Sequence, residues 1–195
     1  MSERFQQILE IINEAKTFGA RTLDDGTQLI GHVPHVAPEA WLHKVFPALD
    51  QSSITQLETH VLPHKIPATY RNFLTTCSNG LGLFSGSLAL YGLRRNYVRT
   101  GDAVWQPYAI ETPNTYERPR DASHSLFFIG GYDWDGSRLY LENEKTFRCA
   151  RHSSKPLNEW SDFWEMLTSE VRRLSRLFDQ QGRQKDPSVP TTPAN

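Results

Sequence analysis

A chain of 195 residues with 38% hydrophobic content has apolar bulk for one sizeable core, and 21 basic against 22 acidic side chains leave no net field to gather nucleic acid or an anionic membrane. No run of about 18 apolar residues offers a membrane span, and charges at Glu3, Arg4, Glu10, Glu14 and Lys16 interrupt any leader-like opening, so a cytoplasmic chain is expected. Its two cysteines, Cys77 and Cys149, lack CxxC spacing and read as buried thiols rather than a metal or redox pair.

Phe5, Ile8, Leu9 and Ile12 recur at helical spacing behind Ser2, a favoured N-cap type, and predict a helix over 3–16 that stops at Phe18-Gly19. Gln28 to Val33 alternates as a short strand. Ser53 with Gln56 three residues on predicts a capping box and a helix that starts at Ile54 and stops before Pro63. Pro67, at a first-turn position, predicts a second helix through Leu74 that Asn79-Gly80 closes. Leu81 to Leu93, spaced with Gly82, Gly86 and Gly92, reads as one or two short strands. Val104 to Ile110 reads as another strand interrupted by Pro107, and Glu111 to Ser123 as a surface loop. Leu126 to Ile129, Ser137 to Glu142 and Thr146 to Ala150 form a meander. Phe163, Trp164, Leu167, Val171, Leu174 and Phe178 then share one face of a closing helix of about 18 residues, with Asn158 or Ser161 as its N-cap. Beyond Gly182 the run RQKDPSVPTTPAN, with three prolines and little apolar mass, predicts a disordered tail over 183–195. This order implies an α+β fold, a mostly antiparallel sheet of four to six strands with helices packed on it and a closing C-terminal amphipathic helix. One domain is expected over 1–180, with its core in 50–178.

The segment GGYDWDGSRLYLEN, residues 130–143, admits three readings. As a calcium loop it would place Asp133, Asp135, Gly136 and Glu142 at the third, fifth, sixth and twelfth positions, but the first falls on Gly131 and a strand-like alternation follows. As a catalytic pair, two aspartates on one turn have no stated relation to a substrate. As a hairpin, Asp135-Gly136 supplies two residues that tolerate positive φ between apolar runs, and this reading is preferred. The histidines form no HExxH pair; His60 and His64 are four apart, but Pro63 stands between them. No P-loop, GxGxxG or GxSxG motif appears, and neither a catalytic set, a metal nor a cofactor is expected. Arg94, Arg95 and Arg99 with Tyr97 read as a solvated loop rather than a nucleic-acid site. Aromatic residues in loops and turns are favoured protein-contact anchors, and acidic neighbours suit a basic partner. The expected contact set is Tyr132, Asp133, Trp134, Asp135, Glu142, Trp105 and Tyr108.

The run IPATYRNFLTTCSNGLGLF, residues 66–84, resembles the signature of the SUKH superfamily, a P-x-x-Y-x-x-F-L helix leading to an N-G turn and a Gly-rich strand. The matches are Pro67, Tyr70, Phe73, Leu74, Asn79 and Gly80. LFFIGGYDWDGSRLYLENE resembles that family's hairpin, and LNEWSDFWEML its closing helix at Ser161, Phe163 and Leu167; the three motifs occur in order across about residues 50–175. The resemblance implies a non-enzymatic binding domain: many bacterial members are immunity proteins that bind and neutralise a cognate toxin, often a nuclease, and fungal relatives act as interaction proteins in cell-wall signalling. The 94–123 segment and the proline-rich tail exceed the compact family pattern. The other readings are a regulatory interaction domain in cell-wall or stress signalling without a toxin partner, and a hydrolase whose site leaves no local trace.

Overall fold

A computed structural model describes residues 3–194; Ser2, expected to cap the first helix, lies outside the described residues. The fold is α+β, with one antiparallel sheet whose nine strands neighbour one another in chain order. In sequence these are α1 (Glu3–Asn13), β1 (Ala20–Thr22), β2 (Gln28–His32), β3 (Trp41–Val45), α2 (Gln51–His60), α3 (Ala68–Thr76), β4 (Leu81–Leu83), β5 (Leu88–Leu90), β6 (Phe127–Tyr132), β7 (Arg138–Glu142), β8 (Lys145–Cys149), β9 (Pro156–Trp160) and α4 (Phe163–Leu177). The expected four to six strands understate the sheet, because β1, β3 and β9 carry weak signals. All three residues of β1 are exposed, β3 is hemmed by Pro38 and Pro47, and β9 opens on Pro156. Residues 104–110 form no strand; Pro107 allows a single bridge, between Gly92 and Ala109.

The helical elements and one sheet face enclose the main core, which draws on Phe5, Ile8 and Ile12 as well as Leu81, Leu90, Phe127, Ile129 and the buried stripe of α4. Residues 3–49 therefore belong to the same body as 50–178. At its centre Tyr70 and Phe73 of α3 pack on Phe163 of α4, with ring centroids 5.5 and 5.1 Å away, and Phe73 meets Phe5 edge-on at 5.9 Å. The Tyr70 hydroxyl lies 2.6 Å from the Tyr91 carbonyl and 3.0 Å from that of Ile129, tying α3 to the sheet. Both cysteines are buried, and burial pushes the Cys149 thiol up to about 12.

The helix ends use caps other than the expected ones. Asp50 caps α2 by accepting from the Ser53 N–H at 2.7 Å, three residues earlier than a start at Ile54. That N–H holds the Asp50 carboxyl below its ordinary range. Asp162, not Asn158 or Ser161, caps α4, accepting from Glu165 N–H at 2.7 Å while Glu165 accepts from Ser161 N–H at 2.6 Å.

The proline-rich tail, expected to be disordered, is placed along α4. The chain turns at Asp179–Gly182, Lys185 N–H donates to Leu177 O at 2.8 Å, and residues 191–194 then lie over a buried polar cluster. In that cluster the Tyr132 hydroxyl donates to Glu170 Oε2 at 2.7 Å, and Arg173 pairs with Glu170 at 2.8 Å while donating to Thr191 O at 2.6 Å. Arg148 donates to Pro193 O at 2.9 Å, and Asn158 to Ala194 O at 2.7 Å. Polar side chains in the core need acceptors, and the tail's carbonyls supply them, which composition alone does not reveal.

Candidate functional site

The β6–β7 hairpin closes as its Asp-Gly turn requires: Tyr132 N–H donates to Ser137 O at 2.9 Å, Asp135 Oδ1 accepts from Ser137 N–H at 2.9 Å, and Gly136 has φ +68°. Gly131 and Arg138 face each other as a strand pair, so no calcium loop forms between Gly131 and Glu142. Among the described residues no group of three or more His, Cys, Asp or Glu is placed to hold a metal, and no helix is long and apolar enough to cross a membrane.

The structure separates the expected contact residues. Trp134 stands at the hairpin tip, 46% exposed, and Asp133 is exposed beside it. Asp135 is committed to its turn and lies 3.8 Å from the buried Arg148. Tyr132 is not a surface anchor: strand alternation turns it to the helix side, where it is 3% exposed and bonded to Glu170, and burial raises its hydroxyl well above the usual range. Glu142 is four residues from Arg138 at the end of β7 away from the tip, about 13 Å along the strand from Arg138, and accepts from the Ser125 hydroxyl at 2.7 Å. Trp105 is half-buried over the Lys44 ammonium, 5.5 Å from its ring centre. Tyr108 is 58% exposed and meets Tyr91 edge-on at 6.0 Å.

Residues 92–117, between β5 and β6, form an ordered flap because buried amides pin their ends. Asn79 accepts from Leu93 N–H at 2.7 Å and donates to Leu93 O at 2.9 Å. Asn114 donates to the Ile110 and Phe128 carbonyls at 2.9 and 2.8 Å and accepts from Phe128 N–H at 2.9 Å. Gln106 closes the middle, accepting from Arg95 and Asn96 N–H at 2.8 and 3.1 Å. Of the three arginines read as a solvated loop, Arg94 stacks over Tyr97 and Arg95 reaches the Ser53 hydroxyl. The flap exposes Tyr97, Val98, Val104, Tyr108 and Tyr116; with Trp134 these are six of the ten large apolar side chains exposed among the described residues, so exposed apolar surface is concentrated here.

Beneath the flap, strand pairing sets Leu29, Lys44, Gly82, Ala89, Gly131 and Arg138 in one row across the outer sheet face. Ala89 and Gly131 in that row leave the sheet hollow, and a pocket of about 240 Å³ opens over them, walled by Tyr91, Tyr108, Pro113, Glu117, Asp133, Arg138 and Arg151. Arg138, its side chain 6% exposed, donates to the Glu117 carbonyl at 2.6 Å and its carboxylate at 2.8 Å. Arg151 stands 3.6 Å from the same carboxylate. Burial pushes the Tyr91 hydroxyl up to about 12, so it is a neutral donor at ordinary pH. Of these walls, sequence reading finds Tyr108 and Asp133 and misses Tyr91, Glu117, Arg138 and Arg151, which lie as far apart as residues 91 and 151. The one local sign is Arg138, a charge opening a strand whose first four residues are all buried.

Comparison with family models, with curated proteins and with solved structures returns no match for this chain.

Proposed function

We propose that this chain is a non-enzymatic protein-binding domain of the SUKH type, acting as a bacterial immunity protein that binds and neutralises a cognate toxin such as a nuclease in the cytoplasm. The observation that carries the reading is the gathering of six exposed apolar side chains, four of them aromatic, on the flap and the neighbouring hairpin tip. Aromatic anchors beside a free carboxylate are the chemistry of a protein contact, and Asp133 gives the tip the sign that a basic, nucleic-acid-binding toxin face would meet. The flap is also where the chain exceeds the compact SUKH pattern, and an insertion on a rigid sheet is the natural place for partner-specific contacts. The family assignment itself rests on the three ordered motifs.

Co-expression with toxins encoded beside this gene tests the reading. One of them should be neutralised and recovered with this protein in a stoichiometric complex. Trp134→Ala combined with Tyr116→Ala should weaken that complex about tenfold or more without moving the thermal midpoint. Rescue that survives this double substitution unchanged would place the contact elsewhere, and absence of rescue by any neighbouring toxin would sink the immunity assignment.

A further inference from the structure

Three polar groups lining the pocket under the flap find no hydrogen-bond partner among the described residues. The Asp133 carboxylate makes neither a hydrogen bond nor an ion pair. The Arg151 guanidinium reaches only Glu117, at 3.6 Å, beyond hydrogen-bonding distance. The Tyr91 hydroxyl has no hydrogen bond and lies beside Gly131 at the pocket floor. Asp133 and Arg151 face solvent and Tyr91 is half-buried, so all three are open to a molecule that enters the pocket. The other charges cancel, since Arg138 is held by both the carbonyl and the carboxylate of Glu117. What remains open is one cation, one anion and the neutral hydroxyls of Tyr91, Tyr108 and Thr112.

We propose that this pocket is a binding site for a small zwitterion of the free α-amino-acid class. Its carboxylate accepts from Arg151 and the Tyr91 hydroxyl, its ammonium donates to Asp133, and its side chain packs against Tyr108 and Pro113. The volume of about 240 Å³ falls below the range of roughly 300–1,000 Å³ that accommodates drug-sized ligands and is too small for a nucleotide or a folded peptide segment. Gly131 is integral to the site: a Cβ there would stand 2.7 Å from the Tyr91 hydroxyl and 2.6 Å from Ser137 O, so any side chain would displace the donor. The pocket shares Tyr108 and Asp133 with the exposed aromatic surface, but the titration below reads its ligand directly and its outcome does not depend on a toxin.

The test uses the full chain, labelled with ¹⁵N and titrated separately with L-leucine, glycine, N-acetyl-L-leucine and L-leucinamide. L-leucine or glycine should shift the Gly131 and Gly136 amides saturably, and each capped leucine should bind about tenfold or more weakly than leucine, the cost of one charge-assisted contact. Arg151→Gln should erase the discrimination against leucinamide, and Asp133→Asn the discrimination against N-acetyl-leucine. Tyr91→Phe should weaken leucine several-fold while leaving both preferences. Binding of the capped forms as tight as that of leucine, or no saturable shift at Gly131 and Gly136 with either amino acid, overturns the proposal.

Discussion

Neighbouring aspartates on one turn divide between contact and construction. Asp133 has no internal partner, whereas Asp135 accepts from Ser137 N–H and lies 3.8 Å from Arg148, so substitution should affect the two differently. Asp133→Lys should weaken partner binding and leave the thermal midpoint in place; Asp135→Lys should cost about 1.5–3 kcal/mol of stability, the worth of a hydrogen bond to a charged acceptor. Parallel thermal melts and binding titrations of the two variants check this, and equal loss of midpoint in both would show that the turn needs both carboxylates. His43 offers a second residue-scale prediction. It is 2% exposed, its ring stands edge-on to Phe84 at 4.7 Å, and burial depresses its pKa from 6.5 to about 3. In that window the unfolded chain binds the proton and the folded chain does not. The stability it contributes is therefore present above pH 6.5 and lost as pH falls toward 3, at up to about 1.4 kcal/mol per unit. Between pH 6.5 and 4.5, urea unfolding of the wild type should lose about 2–3 kcal/mol more than that of His43→Gln; superimposable pH profiles would contradict it.

Elements with strong periodicity were legible, and those defined by tertiary pairing were not. Residues of α4 at 163, 167, 171 and 174 announce a buried stripe, and Asp135-Gly136 announces a hairpin, because each signal is local. β3 and β9 are strands because neighbours on the sheet pair with them, a cause no window of sequence contains. The SUKH-like residues Tyr70, Phe73 and Phe163 have a structural explanation: spacing of three within α3 brings Tyr70 and Phe73 onto Phe163, and the Tyr70 hydroxyl answers two sheet carbonyls. They specify how α3 and α4 seat on the sheet rather than what the chain binds. The candidate surface was half legible, since Trp134 and Tyr108 are exposed while Tyr132 is turned inward by a strand alternation that a Gly-Gly-Tyr run conceals. Flap order depends on Asn114, whose amide makes three hydrogen bonds in a fully buried position. Asn114→Ala should cost about 2–3 kcal/mol and speed hydrogen exchange at the Phe128 amide, with partner affinity falling alongside. Unchanged exchange there would mean that the flap is held by Gln106 and Asn79 alone.

For the molecule as a whole, chain order and sheet order coincide from β1 to β9, so each strand finds its partner among its sequence neighbours even though helices and the flap intervene. The tail closes this arrangement at the other end of the chain. Removing residues 186–195 withdraws carbonyls from Arg173 and Arg148 and uncovers the Tyr132–Glu170 pair, and should lower stability by about 2–4 kcal/mol in urea unfolding. A truncated chain of undiminished stability would show that water replaces the tail without loss. The tail is recognised at Thr191, Pro193 and Ala194 through main-chain oxygens, atoms that every amino acid carries, and proline can offer them because it needs only to accept. Its sequence is consequently free to drift under exchange of one side chain for another of similar size, while its reach is not. Loss or gain of a single residue between Lys185 and Thr191 would move every oxygen off its donor, Arg173, Arg148 or Asn158, so in this stretch variation by substitution is tolerated where variation in length is not.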